Sequence, residues 1–246
     1  MLTLALVPLV VGFLCGCTSI GGILLIPAMA LCGGIGLREA MATTLFSFLA
    51  PSIVASWLHW RNGTIDWRVG LPLALGAVCF GSLGAFAKEH IGVSFLGALL
   101  AALIIVAGLN VLFPLRAGRL DVAGRAETTQ RVFLFTLGAA VSFMAGLTGA
   151  GGPVLTVPIM IGTGFSPLLA VAVAQPFQVV AAVSGSVGNV ILGSVDYGLA
   201  LAATVTQIIG IAAGIRMASR LNTERLKRLI ALMCIGTGLY LLARGA

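Results

Sequence analysis

Charge is what this chain of 246 residues has least of. Seven Asp and Glu, fourteen Lys and Arg and two His leave only 9% of residues charged, against about 25% in a soluble domain. A water-facing globular surface cannot be assembled from so few, so that class is excluded. Carboxylates are absent from the middle of every long apolar stretch, and with them any visible acidic proton relay. The five cysteines, Cys15, Cys17, Cys32, Cys79 and Cys234, all lie in apolar segments, which argues against a disulfide framework or a zinc site. No Gly-x(4)-Gly-Lys-Ser/Thr loop is present, so any ATPase would have to be another chain. Neither histidine stands near a Gly-x-Ser-x-Gly nucleophile turn. No metal or cofactor is implied.

What the chain has instead is apolar length. Hydrophobic residues make up 59% and the mean hydropathy is +1.14, the composition of an all-α, multi-pass integral membrane protein; the cell (inner) membrane is its expected location. The net charge of +7 is then explained by basic loops facing anionic lipid, with no nucleic-acid partner required. Thirty-three glycines fit helices that touch through small residues.

The most informative feature is a repeat. Residues 12–27, GFLCGCTSIGGILLIP, return as FMAGLTGAGGPVLTVP at 143–158, each an apolar run broken by glycines and closed by proline, at Pro27 and Pro158. Gly63 to Trp67 likewise match Gly193 to Tyr197 at an offset of 130, the same offset that relates Gly16, Gly21 and Gly22 to Gly146, Gly151 and Gly152. The chain therefore reads as a duplicated unit, with a first membrane repeat over 1–113, a basic cytoplasmic linker over 114–131 and a second repeat over 132–246.

Six stretches are long enough to cross a bilayer at roughly 20 residues each: 39–60, 67–87, 92–113, 167–192, 197–218 and 225–243. The glycine-broken segments 3–31 and 132–162 are longer than one crossing needs, so each is either a broken crossing helix or a re-entrant hairpin. Leu14 to Cys17 resemble a lipoprotein processing site, but no basic residue precedes them and their counterpart lies mid-chain, so they read as mature structure. Because cytoplasmic loops collect Lys and Arg, charge placement discriminates between the two models. Two crossing segments divide the basic residues seven and seven; two hairpins put eleven on one side and leave Arg38, Lys88 and Arg244 on the other. The hairpin model is favoured. It gives two inverted repeats, each a hairpin followed by three transmembrane helices, with both termini outward and 114–131 cytoplasmic. Trp57, Trp60 and Trp67 then mark the inner boundary, Tyr197 and Tyr240 the outer one.

Glycine-broken segments in corresponding halves point to a binding site. Where a hairpin turns at mid-membrane, amides at the head of its second arm lack helical partners and carry the positive end of the dipole, which suits an anion. The candidate substrate-binding residues are Thr18, Gly21, Gly22, Thr148, Gly151, Gly152 and Pro153 at the tips. From 167–192 come Gln175, Gln178 and Asn189, which share one helical face with Ser186. The plainer alternative is that these glycines only let helices touch and the threonines cap carbonyls. Asp66 and Asp196 each follow a glycine turn and read as N-caps; they fall on opposite faces, which excludes an aspartyl-protease pair. Cys15 and Cys17 read as small apolar fillers.

The run GCTSIGGILLIP, the Ala-x-x-Thr stretch at Ala40 to Thr43, RNGTIDW, AGLTGAGGPVLTVP and GSVDY together resemble the TauE/SafE sulfite exporter family of transmembrane permeases over nearly the whole chain. The resemblance implies transport of sulfite, sulfonates such as sulfoacetate, or related small organic anions. The expected partners are a small anionic substrate and the lipid bilayer, with a homo-oligomer open. A passive anion facilitator or channel, and a non-transport assembly subunit, stay as alternatives.

Overall fold

The computed structural model describes residues 2–18, 21–113, 122–217 and 223–243, and every regular element among them is helical. In chain order these are α1 (Leu2–Thr18), a 3-10 turn (Gly21–Leu24), α2 (Leu25–Gly33), α3 (Leu37–Ser47), α4 (Leu49–Arg61), α5 (Trp67–Glu89) and α6 (Val93–Leu112). The second half holds α7 (Glu127–Thr148), α8 (Pro153–Gly162), α9 (Pro167–Ile191), α10 (Tyr197–Met217) and α11 (Thr223–Ala243). Among the described residues five helices are long and apolar enough to cross a membrane: α3 with α4, α5, α7, α9 and α10.

Local chemistry sets the ends of these helices. Asp66 caps α5 by accepting from the Arg68 amide at 2.9 Å, and Asp196 does the same for the Leu199 amide at 2.9 Å. Before each cap stands a left-handed glycine, Gly63 at φ 67° and Gly193 at φ 65°. Pro153 and Pro167 occupy first-turn positions of α8 and α9, where a missing amide costs nothing.

Three expectations are corrected. The single helix expected at 39–60 is two helices meeting at Phe48, because Pro51 has no amide to give the Ser47 carbonyl. That carbonyl accepts instead from the Thr204 hydroxyl at 3.1 Å. The helix expected from 132 begins at Glu127, and Arg131, placed in the linker, lies on it and pairs with Glu127 one turn away at 2.6 Å. Lys88, expected outside the membrane segment 67–87, lies in the last turn of α5 and is fully buried.

Helix direction follows from which residues face each other. α5 and α9 run parallel, with Gly70 against Val173, Gly81 against Gly185 and Gly188 against Ala85. If α6 returns the chain across the membrane, then α7 and α8 together must begin and end at the same face. They do: the amides of Val122 and Ala123, just before α7, both donate to the Thr163 carbonyl just after α8, at 3.0 and 3.3 Å. The first half behaves alike. Gly12 and Gly16 of α1 face Gln207 and Ile211 of α10 in parallel order. The Thr43 hydroxyl of α3 accepts from the Asp196 amide while Ser47 meets Gln207, again in parallel order. Hence α1 and α3 point the same way, and α2 is the returning arm.

Glycines make the contacts between the halves. A Cβ on Gly138 or Gly146 of α7 would overlap the Leu73 or Gly81 carbonyl of α5, and one on Gly210 or Gly214 of α10 would overlap the Leu9 or Phe13 carbonyl of α1. In lipid, where apolar burial gives little drive between helices, this close approach supplies the dispersion energy that holds them together. Leu71, Leu75 and Val78 of α5 point outward, as a lipid-facing side should, while Leu73 and Ala77 are buried against Leu134 and Leu137 of α7.

Candidate functional site

The second hairpin turns through two left-handed glycines, Gly149 at φ 70° and Gly151 at φ 75°. Gly149 closes α7 by donating to the Ala145 carbonyl at 2.7 Å. Thr148 is committed to the same turn: its hydroxyl donates to the Met144 carbonyl at 2.7 Å and accepts from the Ala150 amide at 3.3 Å. At the head of α8 the Gly152 amide, which has no helical partner, donates to Gln178 Oε1 of α9 at 2.6 Å. Gln178 is eleven residues into the 25-residue α9, so the tip sits near that helix's mid-length.

Around this contact lies a small buried cavity. Gly151 and Pro153 come to it from the second tip, Gln175 and Gln178 from α9, and Cys15 from the last turn of α1. The break between α3 and α4 supplies Phe48, Pro51 and Ser52, and α10 supplies Ile211. Its volume is about 20 Å³, room for one water.

Of the residues singled out in the sequence, Gly151, Pro153, Gln175 and Gln178 meet at this cavity. Gly152 takes part through its amide, and a Cβ there would run into the Phe177 ring rather than into open space. Thr148 is not among the lining residues. Gly21 and Gly22 open the 3-10 turn of the first hairpin and Thr18 closes α1; the Thr18 side chain, Ser19 and Ile20 lie outside the described residues. Asn189 lies eleven residues beyond Gln178, about 16 Å along α9, where its Oδ1 accepts from Lys88 Nζ at 2.6 Å.

Phe48, Pro51 and Ser52 escaped sequence reasoning. The signal available was Pro51 within an apolar helix, a mark of backbone opened toward a partner or cavity. Lys88 was missed because a lysine at the end of an apolar run reads as a loop residue. Among the described residues no group of three His, Cys, Asp or Glu is arranged to hold a metal ion.

Taken together, parallel interlocked helices, two glycine-broken helix pairs and a small cavity at mid-helix define a multi-pass protein of the cell membrane with a candidate site. The sequence model of the sulfite exporter TauE/SafE family matches residues 4–241. The chain belongs to that family, whose members are membrane transporters. Probable membrane transporter protein YjnA of Bacillus subtilis (strain 168) is 28% identical over 255 residues, covering 98% of this chain and 99% of its own. Probable membrane transporter protein ORF9 of Sinorhizobium sp is 27% identical over 95% of this chain and 89% of its own length. Probable membrane transporter protein MJ0441 of Methanocaldococcus jannaschii is 22% identical over 84% and 80%. No solved structure matches the chain.

Proposed function

We propose that this transporter carries a small oxyanion, sulfite or an organosulfonate, by alternating access at the cavity between the hairpin tips. The halves 1–113 and 132–246, joined by the cytoplasmic 114–131 segment, act in this reading as inverted repeats. The observation that carries it is the Gly152 amide held on Gln178 Oε1. A backbone donor at the head of a half-helix accepts negative charge without a cationic side chain, and the glutamine oxygen stands in for an anion's oxygen while the site is closed. Entry of an anion displaces that oxygen, and rotation of the amide turns Nε2 toward the ligand, so Gln178 changes from acceptor to donor. Gln175, one turn away on the same face, adds a second amide. Gly151 has no Cβ to separate the anion from the backbone.

A cavity that holds one water supports a carrier over an open channel, because a continuous pore would need neither closure nor a switch. The relatives' names say only that they are probable membrane transporters; the sulfite assignment comes to this chain from the family description. Flux measured in proteoliposomes of purified protein against sulfite, a sulfonate, thiosulfate, sulfate and a carboxylate tests the reading. Saturable movement of sulfite or the sulfonate, with the carboxylate excluded, is expected. Carboxylate transport without sulfite or sulfonate transport would overturn the substrate assignment.

A further inference from the structure

Lys88 is fully buried in the last turn of α5, and among the described residues its ammonium meets a single partner, the neutral Asn189 amide oxygen at 2.6 Å. The adjacent carboxylate, Glu89, pairs elsewhere, with Arg38 at 3.5 Å, and Arg38 also donates to the Ile91 carbonyl. The Glu89 carboxylate attracts the Lys88 ammonium without bonding to it; a buried ammonium with no carboxylate in direct contact is costly, and inside a membrane protein such a residue marks a functional site by default.

On the facing stretch of α9 stand donors without an acceptor. Bonding to Lys88 orients the Asn189 amide so that Oδ1 is used and Nδ2, with its two N–H groups, has no partner. The Ser186 hydroxyl, one turn along the same face of α9, is buried and also without a partner. Lysine keeps two further N–H bonds to give. A cluster with one net positive charge and several idle donors, closed off from water, is complementary to one small oxyanion.

We propose that Lys88, Asn189 and Ser186 form a second oxyanion site, about 16 Å along α9 from the cavity, which the transported anion occupies between the cavity and the face holding the C-terminal end of α5. This rests on the reading of the chain as an oxyanion carrier. Both sites lie on one side of α9, with Gln175 and Gln178 at one level and Ser186 and Asn189 at the other. A structural role for Lys88, complementing the helix C-terminal ends, makes a different forecast for one substitution. Asn189→Asp gives the lysine a carboxylate of its own. In a structural role that change leaves transport intact; in an anion site it fills the site with an internal counterion.

The test uses purified full-length protein in proteoliposomes with sulfite and sulfate as probes, alongside thermal unfolding with and without each anion. Lys88→Gln is expected to raise KM at least tenfold, with Lys88→Arg within threefold of the parent. Asn189→Asp is expected to raise the unfolding temperature while abolishing both anion-induced stabilisation and low-concentration flux. Parent-like KM and anion stabilisation in Asn189→Asp overturn the proposal, and this arm decides even if Lys88→Gln does not fold. If the parent moves or binds neither probe nor an organosulfonate, the carrier reading falls and this site with it; a parent that responds to these anions, with Lys88→Gln and Asn189→Asp variants that keep its KM and anion stabilisation, removes this site alone.

Discussion

The Gly152 amide and Gln178 Oε1 lie 2.6 Å apart in a buried contact that ties the head of α8 to the middle of α9. It satisfies a donor that helix geometry leaves over and joins the re-entrant arm to a helix running the full depth of the bundle. Gln178→Leu removes the acceptor and leaves the amide unpaired, at a cost of about 1–3 kcal/mol. Gln178→Glu keeps an acceptor but places negative charge where the anion enters. Thermal unfolding should show the leucine variant as the less stable, while flux assays should show the glutamate variant inactive although folded. A glutamate variant transporting at the parental rate would place the substrate elsewhere.

Gly152 separates packing from binding. Its missing Cβ makes room for the Phe177 ring, and overpacking of this kind costs about 1–3 kcal/mol. Gly152→Ala should lower folded yield, and Phe177→Leu in the same chain should recover most of it. Since the proposed ligand contact is the amide, which alanine retains, flux should recover with the fold. Recovery of fold without flux would mean that the Phe177 ring itself shapes the site.

Much of this architecture was legible in the sequence because it is written in residue types with few alternative uses. The Gly16 and Gly146 motifs each lie in the last turn of a helix, α1 and α7, that is followed by a shorter one, and Asp66 and Asp196 each cap the helix after them. Helix periodicity put Gln175, Gln178, Ser186 and Asn189 on one face, and all four are buried. What could not be read was lateral pairing. Nothing local in Lys88 says that it meets a residue 101 positions away, and nothing in Phe48 or Ser52 says that α3 and α4 part at the cavity. Hydrophobicity fixes which segments enter the membrane but, in lipid, hardly distinguishes among neighbours. Partner choice rests on glycine steps and single polar contacts.

Those glycine steps are separable from glycines that merely turn the chain. A Cβ at Gly146 would overlap the Gly81 carbonyl, whereas one at Gly36 meets nothing within 4 Å and the backbone there has an ordinary φ of −62°. Gly146→Ala should therefore destabilise by about 1–3 kcal/mol and Gly36→Ala by no more than about 0.5 kcal/mol. Thermal unfolding in one detergent compares the two, and equal effects would count against the helix contact.

Asp66 caps its helix. Its carboxylate accepts from the Arg68 amide at an exposed position, and among the described residues no Asp or Glu is buried. Asparagine caps about as well as aspartate, whereas alanine loses about 1 kcal/mol. Asp66→Ala should lower folded yield, Asp66→Asn should not, and both should keep the parental pH profile of flux. Loss of a proton-driven component in a well-folded Asp66→Asn variant would make Asp66 a coupling residue.

Sidedness is the remaining link between this fold and the proposed alternating access. Val122 and Ala123 bond to Thr163, which brings the two ends of the α7–α8 unit together, and α1 and α3 share one direction. In the proposed topology each half makes three crossings and the chain enters its second half from the face opposite to its first, which is what would make the repeats inverted. Positive charge supplies the proposed orientation: in the hairpin topology eleven basic residues fall on the side of 114–131 and three on the other. Reporters fused after Ala246 and inserted within 114–121 should therefore report opposite compartments, the linker cytoplasmic and the C-terminus outward. The same compartment for both would mean that one glycine-broken unit crosses the membrane, and the inverted relation would fall. If they differ but are reversed, the fold stands and the charge rule has been overridden.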